Sequence, residues 1–128
     1  MCCVSTAAIH DPTDGMPPAV QIAVPTGTHT PVIDYPPVTV FRFAQSTFDL
    51  GLEFFDAAPG EPVRIYDPAH TVVDLMRFRR RLGEPVAHGA LHRYLSSPGA
   101  RPALLLEYAD ALGIFGPMRS ALDVASAR

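Results

Sequence analysis

The chain has 128 residues, 48% of them hydrophobic, and a formal net charge of −3, which supports one domain and excludes a globally basic nucleic-acid binder. All ten basic residues are arginine, so a P-loop lysine and a lysine Schiff base are excluded. No apolar run reaches the length of a membrane span, and the N-terminus lacks the layout of a signal peptide. We therefore expect a cytoplasmic protein that does not contact a membrane.

The first 18 residues lack the apolar pattern of a core. They contain Pro12, Gly15, Pro17 and Pro18, a composition typical of a tail or linker. The adjacent cysteines, Cys2 and Cys3, cannot by themselves form a disulfide that crosslinks the core or complete a zinc site. This favours a reducing compartment. We expect a flexible tail over residues 1–18 and a single domain over residues 19–128.

The region before Pro68 is rich in proline and β-branched residues. Its runs of Val, Ile and Phe between proline- and glycine-containing turns predict four short strands: Val20–Val24, Val38–Phe43, Phe48–Phe54 and Val63–Ile65. The second strand alternates, with Val38, Val40 and Arg42 on one face and Thr39, Phe41 and Phe43 on the other. Both faces are partly apolar, so one of them is a candidate for contact with a partner.

The composition changes near Pro68 to one rich in Ala, Leu and Arg, which predicts four helices over residues 67–82, 85–96, 102–112 and 117–125. Strands followed by helices indicate an α+β fold: a small antiparallel or mixed sheet and a packed helical unit. Asp67 as N-cap and Pro68 as first helical residue mark the first start. An alternative start has Thr71 as the cap and Asp74 three residues on.

The first predicted helix carries an unusual number of arginines. On a continuous helix, one broad apolar face is formed by Val72, Leu75, Met76, Phe78 and Leu82. Arg79 falls within this face, whereas Asp74, Arg77 and Arg81 lie opposite and Arg80 lies at the edge. Either Arg79 pairs internally with an acidic side chain, or a partner protein or phosphate completes the face. We expect Asp74 and Arg77 to form a solvated surface pair that contributes little.

Motifs of enzyme chemistry are absent from the sequence. It has no glycine-rich nucleotide loop, no Asp-x-Asp pair for catalytic magnesium and no Gly-x-Ser-x-Gly turn, so we expect no enzyme, no catalytic residue and no cofactor. His88 and His92 have the spacing of a two-histidine metal site, but Gly89 stands where a zincin carries glutamate. We interpret both histidines as solvated, and Glu53 and Asp56 as surface acids.

The same residues carry a resemblance to a known family. The pattern comprises Tyr66, Pro68, Thr71, Val72, Val73, Asp74, Leu75, Arg77 and Arg79, followed by Gly83, Ala87, Ala90, Leu91 and Leu95. Upstream it includes Thr13, Asp14, Pro17 and the strand Ile22 to Gly27. In these positions the chain resembles the C-terminal domain of AbiEi-type antitoxins of bacterial type IV toxin–antitoxin systems.

The resemblance implies an antitoxin that neutralises a cognate nucleotidyltransferase-like toxin of the AbiEii type. Members of this family commonly carry a winged-helix DNA-binding domain before this region, and we expect this chain to lack it. The resemblance and the arginine pattern together suggest partner contacts through Arg42, Arg77, Arg79, Arg80 and Arg81.

Two other functions remain open at this point. One is a nucleic-acid-binding transcriptional regulator that uses the basic helix around Arg77 to Arg81. A sequence pI of about 5.9 and the lack of a recognisable helix-turn-helix disfavour it, so DNA binding is not expected without the winged-helix domain. The other is an enzyme that modifies the toxin, for which no motif is present.

Overall fold

The computed structural model describes residue 2 and residues 20–28, 37–58 and 60–126. Contacts divide the chain into two compact units, Met1–Asp67 and Pro68–Arg128, and the boundary coincides with the composition change near Pro68. The strands lie in the first unit and the five helical segments in the second, so the predicted α+β class is confirmed. The predicted tail, apart from Cys2, lies outside the described residues, as do Thr13, Asp14 and Pro17.

The first unit contains four described strands that pair as two small sheets. They are β1 (Val20–Pro25), β2 (Val38–Phe43), β3 (Leu52–Ala58) and β4 (Glu61–Tyr66). β1 runs parallel to β2 with Val20 opposite Val38, and β3 runs antiparallel to β4 with Leu52 opposite Tyr66. Parallel strands cannot be joined by a tight hairpin, which agrees with the long segment between β1 and β2.

The predicted third strand begins too early. Residues Gln45–Thr47 form a 3-10 turn, and the following turn is closed by hydrogen bonds from Leu50 N–H to the Thr47 oxygen and from Leu52 N–H to the Asp49 oxygen. These local bonds use backbone groups that a strand would pair with a neighbour. Gly51 leaves the turn at a φ of +74°, a conformation that favours glycine, and β3 follows.

Aromatic side chains make up much of the buried part of the first unit, which also includes Cys2 and Val24. Phe41, Phe43, Ile65 and Tyr66 are all buried. The rings of Phe43 and Tyr66 lie 5.6 Å apart, and the Tyr66 hydroxyl donates a 2.8 Å hydrogen bond to the Phe48 carbonyl oxygen. The predicted alternation of β2 is therefore resolved: its phenylalanine face is core, whereas Arg42 on the other face is exposed.

The second unit is built around one helix. Its elements are α1 (Pro68–Arg77), α2 (Arg79–Leu82), α3 (Glu84–Ser96), α4 (Pro102–Ala111) and α5 (Phe115–Ser126). α1 packs against α3, α4 and α5, and every residue from Ala69 to Met76 is buried. A helix that is buried on all sides is the centre of its unit rather than a surface element.

The predicted continuous helix to Leu82 is wrong. α1 starts at Pro68, directly after Asp67, as predicted, and Thr71 lies inside it, so the alternative start at Thr71 is not used. Phe78, with φ −102° and ψ 22°, separates α1 from α2. The Met76 carbonyl oxygen, which a continuous helix would pair with the Arg80 N–H, accepts a hydrogen bond from the Arg79 side chain.

Candidate functional site

Three polar side chains of α1 form a cluster inside the helical unit. Asp74 is fully buried, and its Oδ1 accepts a 2.9 Å hydrogen bond from Arg77 Nη2. Its Oδ2 lies 3.0 Å from Nε2 of the fully buried His70, an ion-pair distance without the alignment of a hydrogen bond. The His70 ring contacts Tyr108 of α4, at 6.0 Å between centroids. We call His70, Asp74 and Arg77 the buried cluster.

The buried cluster corrects the prediction that Asp74 and Arg77 form a solvated pair. Asp74 is 0% exposed and the Arg77 side chain 18% exposed. The helical wheel correctly placed Val72, Leu75 and Met76 on a buried face, but it continued this face past the break at Phe78 and assumed that the opposite face meets solvent. Three neighbouring helices surround α1, so the polar face is covered as well. A polar face can be buried in this way only when its charges are paired.

Arg79 lies in a different environment, although it follows Arg77 by two residues. Its side chain is 23% exposed, and Nη1 donates a 3.0 Å hydrogen bond to the Met76 carbonyl oxygen. Its Nε lies 3.7 Å from Oε1 of Glu84, whose side chain is 65% exposed. Arg79 therefore has the internal acidic neighbour that one interpretation required, but the pair is long and open to solvent.

The other arginines proposed for partner contacts divide between the two units. Arg80 and Arg81 are exposed on α2, so α2 is a single turn of helix with three successive arginines. We call Arg79, Arg80 and Arg81 the arginine turn. Arg42 belongs to β2 in the first unit and donates a 2.7 Å hydrogen bond to the Thr28 carbonyl oxygen. Arg77 belongs to the buried cluster, so it is the least accessible of the five.

An open recess lies beside the arginine turn. Its volume is about 300 Å³, and its lining comprises Met76, Arg79, His88, Pro117, Ser120, Ala121 and Val124. The last four residues follow one another along one side of α5, at the spacing of a helical stripe. We call this feature the α5 recess. Sequence reasoning missed it, although the apolar Val124 outside the predicted core stripe of α5 was a signal.

The remaining candidates have ordinary surface positions. His88 and His92 are exposed, as predicted, and His88 contributes to the α5 recess. Glu53 and Asp56 are exposed on β3, as predicted. Among the described residues, no group of three or more His, Cys, Asp or Glu side chains is arranged to hold a metal ion.

No described helix combines the length and apolar character needed to cross a membrane. No protein-family model matches the chain, and no curated protein is significantly similar to it. The function must therefore be argued from the residues and their geometry.

Proposed function

We propose that this chain is an antitoxin that binds and neutralises a nucleotidyltransferase-like toxin through protein contacts. The resemblance of residues 66–95 to AbiEi-type C-terminal domains motivates the choice of partner. The arginine turn carries the proposal, because Arg80 and Arg81 are exposed on the same single helical turn as Arg79, which lines a largely apolar recess. Arginines that border an apolar patch are typical of protein interfaces.

The chemistry of the proposed toxin fits this surface. A nucleotidyltransferase holds its catalytic metal with carboxylates, and a guanidinium binds a carboxylate through paired hydrogen bonds. An arginine-rich surface is therefore complementary to such a cleft and accelerates association with it. Under this proposal the chain acts in the cytoplasm by contact, without catalysis and without a cofactor.

The one-turn length of α2 favours a protein partner over a recognition helix for DNA. A helix that reads the major groove presents several side chains over more than one turn. The basic residues here are three successive arginines within the four-residue helix between the break at Phe78 and Gly83. They form a compact cluster of positive charge rather than a long basic helix face.

The test is co-expression with the product of the adjacent gene. We expect the neighbouring product to arrest growth alone, and this chain to restore growth and to co-purify with it. The double variant Arg80→Glu/Arg81→Glu is expected to weaken the complex at least tenfold, because both charges change sign where the partner is acidic.

Arg101→Glu is the control for charge reversal, and it is compared with Arg80→Glu and Arg81→Glu made singly as well as together. It reverses one charge at an exposed residue beyond the other end of α3, a helix of 13 residues and so roughly 20 Å long. A harmless neighbour that forms no complex with this chain would refute the proposal. Equal weakening by the double variant and by Arg101→Glu would remove the arginine turn from the contact.

A further inference from the structure

The α5 helix has two apolar stripes, and only one is needed for the core. Met118 is fully buried, and Leu122 is buried with it. The second stripe, formed by Pro117, Ala121 and Val124, lines the α5 recess. Val124 is 76% exposed, the highest exposure among the large hydrophobic side chains of the described residues. The core stripe, to which Ala121 also belongs, explains why α5 packs, but it leaves the exposed Pro117 and Val124 without a structural role.

The floor and the rim of the α5 recess differ in chemistry. Met76, Pro117, Ala121 and Val124 supply apolar surface. The polar side chains that line it, those of Arg79, His88 and Ser120, are a cation and two groups that can donate hydrogen bonds. Among the described residues, no carboxylate belongs to this lining. The recess therefore suits an occupant that combines an apolar group with a negative charge.

Arg79 is held in an orientation that such an occupant can use. Its Nη1 is fixed by the Met76 carbonyl oxygen at 3.0 Å, so the guanidinium is positioned before any partner arrives. This bond and the 3.7 Å approach of Glu84 involve two of the five N–H donors of the guanidinium. Because Glu84 is mostly exposed, a second carboxylate can replace it at little cost.

We infer that the α5 recess is the docking site for an acidic amphipathic segment of the partner toxin. An aliphatic or aromatic side chain of that segment enters between Arg79 and Val124. A neighbouring carboxylate then pairs with Arg79 and displaces Glu84. This inference rests on the proposed function and specifies which surface and which partner chemistry produce it.

The shape and chemistry of the recess favour a protein segment over other ligands. A volume of about 300 Å³ is at the lower limit for a small-molecule site, and this recess is open rather than enclosing. A nucleic-acid backbone is polar and charged, and would leave the exposed apolar surface of Val124 and Pro117 uncovered. An amphipathic segment covers the apolar floor and at the same time supplies a carboxylate that pairs with Arg79.

Binding measurements on the complex with the adjacent gene's product test this inference. Val124→Asp places a negative charge in the apolar floor, and Arg79→Met keeps the aliphatic stem but removes the cation. Each is expected to raise the Kd of the complex about tenfold or more, as for residues central to an interface. Val124→Ser serves as a second, uncharged variant, and circular dichroism checks the fold of each.

Two matched controls lie away from the recess. Ala103→Asp introduces the same charge at an exposed position of α4, and Arg119→Met removes an exposed arginine from another side of α5. Both are expected to leave the Kd within about twofold of the starting value, since neither residue lines the recess.

The outcomes separate the two proposals. If the adjacent product binds but the recess variants behave like their controls, the docking site is wrong and the antitoxin function stands. If the adjacent product does not bind the unchanged chain, both fail. If this chain dimerises and Val124→Asp makes it monomeric, a second copy occupies the recess and the inference is overturned.

Discussion

Two arginine–carboxylate pairs at the α1–α2 junction have opposite environments. Arg77 and Asp74 lie 2.9 Å apart with the carboxylate fully buried, whereas Arg79 and Glu84 lie 3.7 Å apart with the carboxylate 65% exposed. Water screens the second pair and can replace either partner, but it cannot reach Asp74. The first pair therefore stabilises the fold, whereas Arg79 of the second pair can exchange Glu84 for a carboxylate of a partner.

The largest expected effect is from removal of the buried carboxylate. Asp74→Ala leaves the buried His70 and the largely buried Arg77 without their shared acid, which is expected to lower the free energy of unfolding by about 3 to 5 kcal/mol. Glu84→Ala, the matched change in the exposed pair, is expected to cost less than about 1 kcal/mol. Urea denaturation measures both. Similar losses for the two variants would show that burial does not distinguish the pairs.

A smaller effect is expected from neutralising the arginines. Arg77→Met keeps the stem but leaves Asp74 with His70 as its remaining neighbour within the buried cluster, at a cost of about 2 kcal/mol. Arg79→Met is expected to cost less than about 1 kcal/mol, since its acidic neighbour is solvated. Thermal and urea unfolding of the two variants compare them directly. An equal loss of unfolding free energy for Arg79→Met would show that Arg79 stabilises the fold, and would weaken its assignment to the partner interface.

The smallest effect concerns the glycine that ends the arginine turn. Gly83 has a φ of +108°, and an added Cβ would meet only ordinary contacts, so Gly83→Ala costs about 1 to 2 kcal/mol through backbone strain alone.

Gly89 provides the control for that substitution, because it lies within α3 with open space around it. Gly89→Ala is expected to stabilise the chain by about 0.5 to 1 kcal/mol, since alanine is the better helix former. Melting temperatures should therefore move in opposite directions for the two variants. A shift of both melting temperatures in the same direction would show that the positive φ of Gly83 does not destabilise the alanine variant.

The sequence predicted the features that depend on neighbouring residues along the chain. Pro68 marked the start of α1 correctly, because the fixed φ of proline acts within one turn. The alternation of β2 marked Phe41 and Phe43 as one face, and that face is buried. The change in composition near Pro68 coincides with the boundary between the two units.

Only the tertiary structure decided which polar residues are covered. Asp74 and Glu84 are both acids near arginines, and nothing local distinguishes them. The packing of α3, α4 and α5 around α1 buries the first and leaves the second in solvent. The same packing creates the α5 recess, whose lining residues come from four separate helices. Spacing within one element fixes its faces, but burial depends on how many neighbours surround it.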